Sequence, residues 1–309
     1  MVGDENMLNV EKFKRIGCEN NNSEKIMRPS MTYWQDAWRR LKKNKIATIS
    51  LFILIFIMIM TVIGPLISGY AHEVTDSNLL NKKPSLEHWF GTDSLGRDLF
   101  TRVWIGGRIS ILIGIIGTFT NIVIGCLYGG IAGYFGGKVD NYMMRFVELL
   151  VSIPYLVMVI ILSLYLGAGM FSLIIALTLT GWTGSARVVR GQVFQLKEQD
   201  FITAAIALGA SPLRIIIKHL IPNTLGVIIV GITFSVPGLI FAEAFLSFIG
   251  LGVQAPETSW GALASSAREN LMFYPYQLFF PSILIAITML AFSLLGDGLR
   301  DALDPKLRQ

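Results

Sequence analysis

The chain has 309 residues, of which 53% are hydrophobic and 15% are charged, and its formal net charge is +5. This composition excludes an ordinary soluble domain, which carries more charge and shorter apolar runs. The basic residues flank the apolar runs instead of forming one face, so no nucleic-acid partner is expected. Two cysteines and three scattered histidines provide neither a disulfide framework nor metal-ligand spacing.

The N-terminal part is polar and leads into an amphipathic segment. Residues 1–29 predict a polar cytoplasmic tail that is a candidate for disorder. Residues 30–106 predict an interfacial helix, a first span and an extracytoplasmic loop. Trp34 and Trp38 recur at helical spacing beside basic residues, which is typical of a helix in the lipid headgroup layer. A docking surface for a partner protein is the alternative.

Apolar runs long enough to cross roughly 30 Å of hydrocarbon predict six membrane-spanning helices. The uncharged run at 149–186 is too long for one span, and the glycine-containing segment at 166–171 divides it into two. Pro154 and Pro237 predict kinks within spans. The six spans are expected at 46–68, 109–134, 142–166, 171–189, 224–250 and 276–299.

Lysines and arginines near the span ends predict the orientation of the chain. They concentrate before the first span, at 187–218 and in the expected C-terminal tail at 301–309. Six spans place these three segments on one side, which is therefore expected to be cytoplasmic, with both termini inside. The prediction is a multi-pass protein in the lipid bilayer of the bacterial cytoplasmic membrane.

The loop between the fourth and fifth spans has the pattern of two short helices joined by a glycine. Asp200 can cap the first helix, and Gly209 is placed to end it in the left-handed conformation. Ser211 and Pro212 are suited to begin the second helix, and Pro222 is expected to end it. One face of the first helix carries small and apolar residues suited to docking another protein: Phe201, Ala204, Ala205 and Leu208.

A transporter that hydrolyses ATP itself needs a phosphate-binding loop. In the nearest candidate, at 129–139, Ala132 replaces the first glycine and Val139 replaces the magnesium-binding Ser or Thr. No Ser/His/Asp or Cys/His constellation is visible in the sequence either. We therefore expect this chain not to be an enzyme and to bind no cofactor or metal.

The loop between the fourth and fifth spans resembles the EAA loop in permease subunits of binding-protein-dependent ABC importers. The family pattern is Glu-Ala-Ala, three residues, Gly, nine residues, Ile-x-Leu-Pro. Ala204, Ala205 and Gly209 match it at the required spacing, whereas Thr203 replaces the glutamate and His219 the isoleucine. The resemblance implies a coupling helix that sits in a groove of an ATPase subunit. Because Thr203 carries no carboxylate, coupling is expected to depend on shape and on the turn at Gly209.

Further segments resemble the C-type permeases of dipeptide, oligopeptide and nickel importers; they lie at 38–45, 90–102, 145–154 and 243–261. The implied fold is an all-α polytopic membrane protein. A five-span permease core of the type I importer (MetI-like) kind is expected at 107–300, with the coupling loop at 191–222. One extra N-terminal helix precedes this core.

The resemblance implies a permease subunit of an ATP-driven importer that works by alternating access. Its implied partners are a homologous B-type permease, two ABC ATPase subunits that bind ATP and Mg, and an extracytoplasmic substrate-binding protein. Peptides are the expected cargo, and nickel or a metal chelate is the alternative within the family. A stand-alone secondary transporter or channel is the alternative from another class, but the inverted repeats that it would predict are not apparent.

Charged residues inside or at the edge of spans are candidates for the pathway or its gate. A charge in hydrocarbon costs about 2.5–3.5 kcal/mol on insertion scales, so Glu148 and Glu243 each need water or a partner. Arg187, at the inner end of the fourth span, is a candidate gate residue. The expected ion-pair partners of Glu148 are Arg145, Arg187 and Arg190. Contact with the cationic end of the cargo is the alternative for Glu243, whose expected ion-pair partners are Arg102, Arg108 and Arg268.

Overall fold

The computed structural model describes residues 32–167 and 169–303, so the expected tail at 1–29 and residues 304–309 lie outside the described residues. Within the described residues the chain is helical, and the β-structure is an isolated bridge between Thr92 and Asp98. The all-α prediction is confirmed. The helices are α1 (Tyr33–Lys43), α2 (Lys45–Ser68), α3 (Leu99–Phe135), α4 (Gly137–Ser152), α5 (Tyr155–Leu166), α6 (Met170–Lys197), α7 (Asp200–Ala207), α8 (Pro212–Ile215), α9 (Ile221–Phe248), α10 (Trp260–Ala267) and α11 (Tyr276–Leu303).

Five helical segments of the described chain are long and apolar enough to cross a membrane: α2, α3, α6, the stretch Pro212–Phe248 and α11. The pair α4 and α5 meets the same criterion together, although the two helices are bent by 79°. The expected number of six spans is reached when this bent pair is counted as one span. The predicted division between the third and fourth spans is confirmed, because α5 ends at Leu166 and α6 begins at Met170.

The bend between α4 and α5 lies at Ile153 and Pro154. Ile153 is extended (φ −85°, ψ 127°) because the ring of the following proline disfavours the helical conformation. The predicted kink at Pro154 is confirmed, and it divides the span expected at 142–166 into α4, which ends at Ser152, and α5, which begins at Tyr155. Pro237, by contrast, lies inside α9, which remains helical on both sides of it.

The helix α3 begins at Leu99, whereas the sequence predicts the second span only from residue 109. Asp98 caps the helix by accepting a hydrogen bond from Thr101 N at 2.8 Å. The arginines of this first stretch have internal partners: Arg102 donates to Asp93, and Arg108 Nη2 donates to Thr61 O at 2.8 Å. The expected start of the core at residue 107 falls inside α3, eight residues after the helix begins.

The C-terminal end of α11 also differs from the prediction. The helix continues to Leu303, so residues 301–303 of the expected tail are helical. Ala302 and Leu303 are buried, and this burial favours the extra turn.

Glycines bring α3 and α6 into close contact along their C-terminal halves. A Cβ atom added at Gly129 would lie 2.3 Å from the carbonyl oxygen of Ala186, and one added at Gly133 would lie 2.8 Å from Val193 Cγ1. Small residues at an interface let helix backbones approach each other, which favours helix association in membranes. This contact fixes α3 against the helix that leads into α7.

We expect Gly129→Ala to lower the melting temperature of the full chain in detergent, because the α6 backbone must shift to admit a methyl group. Overpacking typically costs about 1–3 kcal/mol. Gly191→Ala, on α6, is the matched control, since nothing lies within 4 Å of its added Cβ atom. Equal melting temperatures for the two variants would contradict the close contact of α3 with α6.

Candidate functional site

The predicted two-helix loop is present as α7 and α8. Asp200 is the first residue of α7, and the N-cap is Gln199, so the prediction that Asp200 caps this helix is wrong. As an acidic residue in the first turn, Asp200 still interacts favourably with the helix dipole. Ser211 is the N-cap of α8 and Pro212 its first residue, as predicted.

The turn between the two helices has a Schellman geometry. Gly209 adopts a left-handed conformation with φ +78°, which confirms its predicted role as helix terminator. Gly209 N donates to Ile206 O at 2.9 Å, and Ala210 N donates to Ala205 O at 3.0 Å. These two bonds satisfy carbonyl groups that the end of α7 would leave without partners. A defined, hydrogen-bonded turn therefore connects α7 to α8.

One side of α7 is buried against the rest of the protein, and the other side is exposed. Ile202 is fully buried, whereas Phe201 is 42% exposed and Leu208 is 88% exposed. Ala204 and Thr203 are exposed, and Ala205 is half-buried. The predicted docking face thus points outward, with Ala205 at its edge. The anchoring residue Ile202 was missed, because a single isoleucine between Phe201 and Thr203 is only a weak signal for it.

Isoleucines attach the loop to the bundle. Ile202 of α7 and Ile215 of α8 belong to one apolar cluster with Val189 and Val193 of α6. Cys126 of α3 and residues of the segment that follows α8 join the same cluster. The loop therefore lies firmly on the ends of α3 and α6, and its outward face stays exposed.

The second loop helix does not end at Pro222, so that prediction is wrong. Helical structure continues from Pro212 through a π-helical turn at Ile216–Leu220 into α9. Pro222 lies in the first turn of α9. A proline removes one donor and clashes with the carbonyl of the preceding turn, and the turn that precedes Pro222 is the π-helical one. A displacement of α8 would consequently be transmitted to the fifth span.

A groove of about 880 Å³ lies beside α4 and the C-terminal half of α6. Arg145 Nη1 lies 3.5 Å from Glu148 Oε2, so the expected ion pair of Glu148 is present with Arg145. Arg190 pairs with Asp140, whereas Arg187 is exposed to the groove. The groove is lined by Lys138, Asn141, Tyr142, Met144, Arg145, Glu148, Arg187 and Arg190.

Glu243 is fully buried and is held by serines. Ser110 Oγ and Ser247 Oγ each donate to its carboxyl group at 2.7 Å. Ser110 Oγ also accepts from Trp260 N at 3.2 Å, so this cluster joins α3, α9 and α10. With no exposed surface, Glu243 contacts no open pathway in this arrangement.

The ion pair expected for Glu243 is therefore wrong. Arg102 and Arg108 have the partners described above, and the guanidinium of Arg268 lies 5.5 Å from the ring of Phe248. Hydroxyl donors replace a counter-ion here. Serines within apolar segments are a weak sequence signal, which is why they were missed. Among the described residues, no group of three or more His, Cys, Asp or Glu side chains is arranged to hold a metal ion.

Comparisons with known proteins agree with this architecture. Residues 125–309 match the model of the binding-protein-dependent transport system inner membrane component family, and residues 32–84 match the N-terminal TM domain of oligopeptide transport permease C. The dipeptide transport system permease protein DppC of Bacillus subtilis is 50% identical over 307 residues, covering 98% of this chain and 93% of that protein. The oligopeptide transport system permease protein OppC of the same organism is 48% identical, covering 98% and 100%.

A solved structure shares the fold. A chain of the inward-facing MetNI methionine ABC transporter superposes with a TM-score of 0.52 at 21% identity, covering 67% of this chain and 96% of that one. This likeness confirms the predicted MetI-like permease core, which an additional N-terminal helix precedes. The chain is thus a multi-pass inner-membrane permease, and it belongs to the family of binding-protein-dependent transport system inner membrane components.

Proposed function

We propose that this chain is a permease subunit through which peptides enter the cell, driven by ATP hydrolysis on separate subunits. The single observation that carries the mechanism is the rigid path from the outward face of α7, through the turn at Gly209, into α8 and α9. The names of the relatives, which are dipeptide and oligopeptide permeases, support peptides as the cargo.

The outward face of α7 is proposed to dock on an ATPase subunit. Phe201 and Leu208 offer exposed apolar area, and the short side chain of Ala204 permits close backbone approach. Thr203 supplies a hydroxyl and no charge, so shape and apolar contact carry the docking. Two ATPase subunits, which bind ATP and Mg, would serve this chain and its permease partner. The loop and both termini then lie in the cytoplasm.

The permease partner is proposed to be a homologous B-type subunit that covers open surfaces of α6 and α9. Gly231 and Gly238 have nothing within 4 Å of an added Cβ atom, and both lie on an exposed stripe of α9 with Phe234 and Phe241. A groove of about 240 Å³ adjoins this stripe between α3, α6 and α9. Small residues at such a surface let the helices of a second subunit pack close to α9.

The groove beside Arg187 is proposed to form this chain's half of the inner pathway. An exposed arginine within a candidate span is costly in lipid and acceptable beside water. Arg187 would therefore face a hydrated passage, with Glu148 and Arg145 at its edge. An extracytoplasmic substrate-binding protein would deliver cargo to the opposite end of the bundle.

Uptake of labelled peptide by the complete transporter in proteoliposomes tests the function. We expect uptake that requires ATP, the binding protein and this chain. Leu208→Asp should lower uptake at least tenfold, because a charge in an apolar contact costs more than about 1.4 kcal/mol, the equivalent of a factor of ten. Leu208→Met is the matched control that keeps apolar area. Uptake by this chain alone, without ATPase subunits, would contradict the proposal.

A further inference from the structure

The helix α1 carries three differently exposed stripes. Ala37 and Leu41 are buried, whereas Trp34 and Trp38 are 52% and 49% exposed. The basic residues form the third stripe, further around the helix and at its junction with α2. We name this set the α1 basic stripe; its members are all exposed: Arg39, Lys42, Lys43 and Lys45.

The buried stripe fixes the orientation of α1. Leu41 shares an apolar cluster with Ala47 of α2 and Leu295 of α11. Gly298 of α11 lies directly beneath this junction, since an added Cβ atom would lie 2.2 Å from Ala47 Cβ and 3.5 Å from Leu41 Cδ1. α1 therefore cannot rotate freely, and the tryptophans and the α1 basic stripe keep their directions relative to the bundle.

The position of α1 is set by its direct connection to a candidate span. Only Asn44 separates α1 from α2, and its side chain caps α2 by accepting from Ala47 N at 3.1 Å. α2 is long and apolar enough to cross the membrane, so its first residues lie where hydrocarbon meets headgroups. The tryptophans of α1 are consequently held at the level where such rings are favoured.

The charges of α1 are unevenly distributed. Its one carboxylate, Asp36, accepts from Arg40 Nε at 3.0 Å, and the four members of the α1 basic stripe outnumber it. Lys42 Nζ lies 5.2 Å from the centre of the Trp38 ring, which keeps this ammonium group beside the ring. The α1 basic stripe thus combines several cations with two adjacent tryptophans at headgroup level.

We propose that the α1 basic stripe and the tryptophans form a binding site for anionic phospholipid headgroups. The cations attract the phosphate and any further acidic group of the lipid, while Trp34 and Trp38 contact the upper acyl chains. A zwitterionic lipid satisfies the tryptophans but offers no net charge to the cations. Each Lys or Arg near an anionic surface contributes about fivefold to binding.

Fluorescence quenching by brominated lipids tests this site in the full chain and in the assembled transporter, both in nanodiscs. The signal is the part of the tryptophan fluorescence that Trp34→Phe/Trp38→Phe removes. We expect brominated phosphatidylglycerol to quench this part at about tenfold or more lower mole fraction than brominated phosphatidylcholine. Lys42→Gln/Lys43→Gln should remove most of that preference.

The matched control is Lys82→Gln/Lys83→Gln, which removes two exposed lysines at the opposite end of the bundle and should leave the preference intact. Equal quenching by the two lipids would overturn the proposal. So would an unchanged preference in Lys42→Gln/Lys43→Gln. Quenching by neither lipid in the assembled transporter would show that a protein subunit covers α1 instead.

Discussion

Replacing Gly209 with valine is expected to lower peptide uptake about 5- to 30-fold while ATP hydrolysis continues. The residue has φ +78°, and a left-handed conformation costs an L-residue roughly 1–2 kcal/mol, with β-branched side chains the least tolerant. A steric clash is not the cause of this effect, because nothing lies within 4 Å of a Cβ atom added at Gly209. The backbone cost alone disfavours the turn that orients α7 relative to α8. Peptide imported per ATP hydrolysed, measured in proteoliposomes, gives the result directly.

Asparagine provides the control for this prediction. It tolerates the left-handed conformation better than other non-glycine residues, so Gly209→Asn should keep most of the coupling. Both variants place a side chain in the same open space, and they differ in the backbone conformation that they favour. Full coupling in Gly209→Val would refute the role of this turn.

Replacing Glu243 with alanine is expected to destabilise the chain by about 3–5 kcal/mol. The substitution removes the acceptor of two buried serine hydroxyl groups, at about 1–3 kcal/mol for each unsatisfied group, and it also leaves a cavity. Ser110 and Ser247 come from different helices, so the loss loosens the junction of α3 with α9. The melting temperature in detergent should fall by roughly 5–10 °C.

Glu148→Ala is the control for Glu243→Ala. Glu148 is exposed, and the exposed Arg145 is its partner at 3.5 Å, a kind of pair that contributes little to stability. The control should melt near the temperature of the unmodified chain. If both variants melted alike, the serine cluster would not have the structural role assigned to it.

The spans were predictable because hydrocarbon thickness imposes a simple length rule on apolar runs. The turn at Gly209 was predictable because few residues adopt the left-handed conformation. The early start of α3 was not predictable in this way. It places Arg102 inside the bundle, where Asp93, nine residues earlier in the chain, neutralises it. The continuation through Pro222 depends on a π turn that leaves no pattern in the sequence.

The setting of Glu243 shows a second limit of sequence reasoning. A carboxylate in a span predicts a partner, and arginine was the expected one. The structure uses Ser110, which lies 133 residues away, together with Ser247 from the same helix. Which of many serines will meet a buried carboxyl group depends on helix rotation and crossing angle. Close packing at a glycine constrains both at this junction, because a Cβ atom added at Gly114 of α3 would lie 2.7 Å from Ile240 Cγ1 of α9.

Photo-crosslinking from position 208 in the assembled transporter tests the central claim most directly. Leu208 is 88% exposed at the tip of α7, and a benzophenone amino acid placed there should crosslink to an ATPase subunit. The same probe at position 86, where Leu86 is 95% exposed at the opposite end of the bundle, should not reach an ATPase. Labelling of lipid alone from position 208, with no ATPase adduct, would contradict the docking of α7.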